Sequence, residues 1–406
     1  MRTFISSSEA REIVCAAGQP LGVEHVPLKK ALGRIACEDV VAPYRLPPFA
    51  SAGMDGFAVR VADLVEAPTS LRVTHTVPAG VVLASEVAPG TCMRIMTGAP
   101  VPGGSDAIVP LEWTSEVVSD EVCVERVPKK GAYIRPAGRD VEVGGLLVAG
   151  GMLITPPAIG LLAGAGYAQI AVSRQPRIAI IVTGDELHVE ADPLPPGMIR
   201  DSSGPALVAL VMQAGGQATG LHLARDHKES VHAALEKAMG ADVILVVGGV
   251  SVGDYDVVKE VLAEAGMELI FWRVRQRPGG PLVFGKLHGR LVLGLPGNPV
   301  SSFVCFQQYV RPLLNELLGC AKSRPVLHEA ILSQPVSKKR GLHHFVRGIA
   351  TRDAKGTLHV QHTGPQASNL YSSVVQANCL IHLPEQMEDP PRNSRVSIEW
   401  LPWAVF

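Results

Sequence analysis

The sequence lacks any cysteine pair at metal-binding or redox spacing. Its seven cysteines (Cys15, Cys37, Cys92, Cys123, Cys305, Cys320 and Cys379) are odd in number and include no Cys-x-x-Cys. No zinc or thiol-redox signature is therefore present, and the pattern suits small core residues in a reducing compartment. A surplus of positive charge is also missing. With 37 Lys+Arg against 38 Asp+Glu the net charge is −1, which argues against a duplex nucleic-acid partner. No secretory signal is visible, because Met1-Arg2-Thr3-Phe4 runs into Glu9, Arg11 and Glu12 without an apolar stretch. A cytoplasmic protein is the expectation. Internal repeats and low-complexity linkers are absent too. What is there, 406 residues at 47% hydrophobic and 18% charged, describes a well-buried globular chain of two to four domains.

One segment could be mistaken for a membrane span. From Gly144 to Val172 the chain carries no charge for 29 residues, long enough to cross a bilayer. It holds seven glycines and Pro156-Pro157, however. The expectation is a soluble core segment: a short strand, Thr155 as N-cap, a helix opened by the prolines, and Gly166 near its end.

Texture changes along the chain divide it into four parts. Residues 1–22 look helical, with Ile13, Val14 and Ala17 at helical spacing. Residues 23–138 are rich in Val, Pro and Gly, with alternating runs such as Ser70–Val77 and Glu121–Val127 that predict short antiparallel strands. Residues 139–175 return to helix and are expected to join residues 1–22 in a discontinuous domain. Over 176–322 apolar strands such as Ile178–Val182, Val243–Val247 and Leu291–Leu293 alternate with helical stretches such as Ala206–Ala214 and Val300–Leu318. That alternation predicts a largely parallel sheet covered on both faces. Residues 323–406 read as a small β domain. The fold class is thus multi-domain α/β plus β.

The chemistry collects after the strands of the α/β part. There stand Thr183-Gly184-Asp185-Glu186, Arg225-Asp226-His227, Gly248-Gly249-Val250-Ser251-Val252-Gly253-Asp254-Tyr255-Asp256, Arg277-Pro278-Gly279-Gly280-Pro281 and Leu295-Pro296-Gly297-Asn298-Pro299. Loops at the carboxyl edge of a parallel sheet are where open α/β folds bind ligands. Glycine lets backbone N–H groups approach a phosphate. Glu186, Asp226 and Asp256 beside such an anion would repel it unless a hard cation intervened, so Mg²⁺ is the natural inference. Each loop alone has a plainer reading as a turn or cap, and the glycine loop lacks the Walker Lys-Ser/Thr. Arg273, Arg275 and Arg277 could mark one solvated strand face. His343-His344 has no metal-ligand partners at useful spacing.

Taken in order, Met54-Asp55-Gly56-Phe57-Ala58, Arg94-Ile95-Met96-Thr97-Gly98-Ala99-Pro100-Val101-Pro102, Gly138-Arg139-Asp140, Thr183–Leu187, Gly248–Gly253 and Leu295–Ser301 resemble the molybdopterin molybdenumtransferase family, MoeA and the gephyrin E domain. The resemblance spans nearly the whole chain. It implies an elongated four-domain homodimer that converts adenylylated molybdopterin and molybdate into molybdenum cofactor and AMP, with Mg²⁺. By motif match it implies that Asp55, Thr97, Asp140 and Glu186 are needed for activity, with the first three facing the partner subunit's cleft. It implies nucleotide and pterin contacts at Thr183, Gly184, Asp185, Asp201, Ser202, Gly248, Gly249, Ser251, Gly253, Pro296, Gly297, Asn298 and Pro299. Glu186, Asp226 and Asp256 are the implied Mg²⁺ ligands. Arg277, Pro281, Ser301, Arg347 and Ser368 are the implied molybdate pocket. Contacts with a molybdopterin adenylyltransferase and with molybdoenzymes are implied as well, and neither nucleic acid nor membrane is.

The sequence departs from the family pattern at charged positions. Gly280 stands where the second lysine of Lys-Pro-Gly-Lys-Pro is usual, Leu342 where an arginine is common, and Pro136-Ala137 in an arginine-rich run. Ala50-Ser51-Ala52-Gly53 replaces the usual Asp-Asn-Ser approach, and Val247 a common serine. Arg275 is the expected substitute for the lost lysine charge. Two alternatives stay open: a diverged paralogue that binds pterin or nucleotide with weak or altered oxyanion insertion, and a non-catalytic scaffold dimer.

Overall fold

A computed structural model of the chain describes residues 2–188, 193–249 and 257–404. Its centre is a seven-stranded sheet made of β1 (Arg2–Ile5), β2 (Arg177–Thr183), β3 (Gln217–Ala224), β4 (Val243–Val247), β5 (Glu268–Val274), β6 (Val283–Leu287) and β7 (Arg290–Leu295). The spatial order is β1-β5-β6-β7-β4-β2-β3. Only β6 runs against the others.

Strands β2 and β4 are apolar and buried on both sides because helices cover both faces. Ile178, Ile180, Val182, Val243, Leu245 and Val247 join one core with the helix Ser203–Gln213. Ala179, Ile181, Ile244 and Val246 join the other with the helices Lys228–Ala238 and Val257–Glu264. Continuous apolar runs of this kind belong to doubly covered parallel strands. Among the described residues no helix is long and apolar enough to cross a membrane.

The N-terminus differs from the expectation. Residues 2–5 form a strand, and the helix Ser7–Ala16 packs with the central sheet through Ala10 and Val14. The physical reason is the open edge of β5, whose backbone groups need a partner and find β1 in parallel register. The discontinuous unit is instead built from residues 23–41 and 146–173. Strand Val23–Pro27 pairs with Gln169–Ser173, and Val26, Leu28, Ala31, Val148, Ile154, Leu162 and Ile170 share one core. Within it the uncharged segment folds as read. Thr155 caps the helix Pro156–Gly164 by accepting from the Ala158 N–H, and Gly166 follows at φ +81°.

Between those segments a five-stranded sheet holds Gly56–Val59 between Ala107–Pro110 and Thr91–Ile95. Thr69–Val77 pairs with Glu121–Val124 antiparallel, as expected, but with Thr91–Ile95 in parallel. The C-terminal strands Leu327–Leu332, His343–Arg352, Leu358–His362, Cys379–Leu383 and Arg395–Trp400 close on themselves as a small barrel. A short strand from the central region, Gln276–Arg277, joins it in parallel beside His343-His344.

Candidate active site

At the carboxyl edge of β2, β4 and β7 lies a cavity of about 570 Å³. It is lined by Thr183, Gly184, Glu186, Asp201, Ser202, Asp226, Gly248, Gly249, Gly297, Asn298 and Pro299. Parallel pairing of β2 with β4, and of β4 with β7, brings these sequence-distant loops to one edge. Asp185 and Pro296 support the site without lining it. The Asp185 carboxylate accepts from the Asp226 N–H at 3.1 Å, and its carbonyl accepts from Arg225 at 2.6 Å. Pro296 is buried behind the loop.

The glycines are there for want of room. Gly248 has φ +91°, and a Cβ on it would lie 2.7 Å from the Thr183 carbonyl oxygen. Gly249 has φ +60°, and its Cβ would meet Val258 Cγ2 at 2.4 Å. Neither position takes a side chain without strain. Gly248 N–H donates to the Leu295 carbonyl, and the Thr183 hydroxyl donates to the Val247 carbonyl at 3.4 Å. The Asp201 carboxylate accepts from the Gly204 N–H at 2.9 Å, which fixes the start of the helix Ser203–Gln213.

Glu186 and Asp226 are exposed carboxylates in this cavity wall. Asp256, the third expected ligand, lies outside the described residues, as do Ser251 and Gly253. Among the described residues no three His, Cys, Asp or Glu groups converge as a metal cluster. Four residues of the wall went unread in the sequence: Ile199, Arg200, Ser203 and Asn369. Asn369 comes from the C-terminal part and carries no local signal.

Asp55, Thr97 and Asp140 stand apart from that wall. Antiparallel pairing of Gly56 with Ile95 sets Asp55 and Thr97 at the same strand end. There the Asp55 carboxylate accepts from both the Thr97 hydroxyl and the Thr97 N–H, each at 2.6 Å. Those bonds, the hydroxyl's first, with the nearby Arg94 charge, hold its pKa below the ordinary aspartate value. Asp140 is exposed, and its N–H donates to the Leu46 carbonyl at 2.9 Å.

The expected molybdate residues gather where the central sheet meets the barrel. Val300 N–H donates to the Ser368 carbonyl, and a Cβ on Gly279 would lie 3.3 Å from the Ser301 carbonyl oxygen. Pro281 follows in the same loop, just before β6. Arg347 is fully buried and already engaged. It donates to the Ser373 hydroxyl at 3.0 Å and to the Gln366 and Ala367 carbonyls at 3.4 and 3.1 Å. It therefore anchors the loop that carries Ser368. Burial first, then the Arg277 charge, lowers its pKa to about 10.

The Arg277 loop is clamped from below. Gln276 is 3% exposed and donates to the carbonyls of Pro278 and Gly279 at 3.1 and 3.2 Å, while its own oxygen accepts from the Tyr309 hydroxyl. Arg275 does not replace the missing lysine. Its guanidinium pairs with Glu385 at 2.9 Å and donates to the Phe4 carbonyl at 2.7 Å.

The comparisons agree with this arrangement region by region. The MoeA N-terminal region (domain I and II) matches residues 5–166, a probable molybdopterin binding domain residues 179–316, and the MoeA C-terminal region (domain IV) residues 329–400. A molybdopterin molybdenumtransferase of Haemophilus influenzae is 35% identical over 382 residues, 94% of each chain. One of Bacillus subtilis is 33% identical over 100% of this chain and 98% of its own. A molybdopterin biosynthesis MoeA crystal structure from Pyrococcus horikoshii superposes with a TM-score of 0.82 at 27% identity, covering 98% of this chain and 100% of that one. With all three regions present in order and relatives matched end to end, the chain belongs to the molybdopterin molybdenumtransferase family.

Proposed function

We propose the detailed reaction of an enzyme whose family places it in molybdenum-cofactor biosynthesis: it inserts molybdenum from molybdate into adenylylated molybdopterin and releases AMP. The observation that carries this reading is the 570 Å³ cavity, whose wall holds Gly248 and Gly249 together with the carboxylate residues Glu186 and Asp226. Glycine at that edge lets backbone N–H groups reach phosphate oxygens. The carboxylates would repel the same phosphates if nothing lay between them.

Mg²⁺ fits this donor set, because it binds through one or two carboxylates and completes its shell with water and substrate phosphate. Glu186 and Asp226 would hold it, and when bound it supplies charge neutralisation at the phosphoanhydride. The chain's own groups do the positioning. Thr183, Asp201 and Asn298 offer hydroxyl, carboxylate and amide contacts to nucleotide or pterin. Arg277, Ser301 and Ser368 offer the charge and hydroxyl donors that suit a tetrahedral oxyanion. We also read the active form as a homodimer in which Asp55, Thr97 and Asp140 complete the partner subunit's cleft. Their distance from the described cavity wall, with an ordered carboxylate–hydroxyl pair at an exposed strand end, supports that reading.

The test follows AMP from purified full-length chain given adenylylated molybdopterin, Mg²⁺ and molybdate. Molybdate-dependent AMP release is expected, falling about 10²-fold or more in Glu186→Gln and in Asp226→Asn. Bound nucleotide with no molybdate-dependent release would favour the diverged paralogue instead.

A further inference from the structure

A second cavity, of about 280 Å³, opens beside Arg277 and, apart from that arginine, draws on residues that the reaction has not used. Its wall includes Arg277, Ser337, His344, His362 and Gln366, and no carboxylate. His344 is 5% exposed, and its Nε2 is buried without a hydrogen-bond partner among the described residues. An unpaired buried polar atom is costly, and in a native structure it calls for an explanation. Arg277 is exposed and has no carboxylate pair among the described residues.

The charges around His344 have one sign. Arg277, Arg347 and Lys338 all act on it, and with burial, the larger effect, they push its pKa down to about 4. Lys338 donates to the carbonyls of Lys339, Glu385 and Met387, so its charge is solvated by backbone and not cancelled by a bonded carboxylate. At neutral pH His344 is therefore an uncharged imidazole in a positive field, able to present an N–H. Strand pairing explains the placement: Arg277 and His344 are direct partners in the parallel register of Gln276–Arg277 with His343–Arg352. Meanwhile Gly280 contributes no cation. A Cβ there would lie 3.2 Å from the Gln276 carbonyl oxygen.

We propose that His344 is an oxyanion-binding residue, whose Nε2–H donates to a tetrahedral dianion held by Arg277 in the cavity between the central sheet and the barrel. The proposal rests on the molybdate reading above, and gives the His343-His344 motif a role in anion recognition in place of metal binding. His343 takes no part. It stacks on Phe345 at 4.4 Å and lies outside the cavity wall.

The test is titration calorimetry of the full-length chain with molybdate, and with sulfate as the second tetrahedral dianion. Two variants of similar volume separate the donor from the packing: His344→Gln keeps an N–H and His344→Met removes it. Molybdate affinity is expected to fall about tenfold in His344→Met and to stay within about threefold of wild type in His344→Gln, with thermal melting of both recorded. Equal molybdate affinity in all three proteins overturns the proposal. So does equal loss in both variants, which would assign the effect to packing. A wild-type chain that binds neither anion overturns the molybdate reading itself. Tighter binding of sulfate than molybdate, with the same His344 dependence, keeps the donor role and reassigns the oxyanion.

Discussion

Asp55 and Thr97 act as one unit because two hydrogen bonds of 2.6 Å converge on a single carboxylate oxygen. Both bonds favour the ionised form, so the Asp55 pKa lies below the ordinary value of 3.8. A depressed carboxylate adds stability above its unfolded pKa and loses it as pH falls through the folded one. Thr97→Val removes the hydroxyl bond and keeps the N–H bond. Its Asp55 titration should move up toward the ordinary value, read by carboxyl carbon NMR, and the acid loss of stability should be smaller and be complete at a higher pH. Sequence motifs pointed to both residues, but their mutual bond was not legible. It depends on strands Gly56–Val59 and Thr91–Ile95 pairing in one register.

At the scale of elements, the helix that begins at Pro299 is the most informative. Its apolar run to Leu318 was legible in the sequence, yet the turn Phe306–Val310 is a π-helix. Such single-turn widenings recur at functional sites. Here the π turn carries Gln307, Gln308 and Tyr309, all buried. Tyr309 reaches the Gln276 oxygen, and Gln308 bridges Arg11 at 2.6 Å and Glu399 at 2.6 Å. The turn thus ties the N-terminal helix, the Arg277 loop and the barrel together. Tyr309→Phe leaves the Gln276 oxygen buried and unpaired, at a cost of about 1–3 kcal/mol. We expect a lower melting temperature, and a several-fold higher KM for molybdate as the Arg277 loop loosens, measured by AMP release against molybdate concentration. Unchanged KM would show that Gln276 holds the loop unaided.

Across the whole molecule the three regions are joined by chain exchanges. Strand β1 completes the central sheet, and Gln276–Arg277 leaves that sheet to pair with the barrel. Arg275 sits at the crossing, paired with Glu385 of the barrel and with the Phe4 carbonyl of β1. The pair is partly exposed, which limits its worth to about 1 kcal/mol or less. Glu385→Ala should accordingly lower the thermal transition by only a few degrees, followed by calorimetry. A much larger loss would mean that Arg275 is organising the junction and not merely bonding across it.

Local chemistry alone determined a good deal: the parallel sheet from its apolar strand runs, the capped helix after Thr155, and the glycine and carboxylate loops that follow the strands. Each is a property of neighbours in the chain, so periodicity and motif could reveal it. Tertiary structure decided which loops share a wall, that Asn369 joins them, and that Arg275 is spent on Glu385 instead of replacing the missing lysine. It also set His344 beside Arg277 with its Nε2 unpaired. Those facts depend on pairing between residues tens to hundreds of positions apart. Charge and burial at such places follow from the packed molecule, and no local pattern carries them.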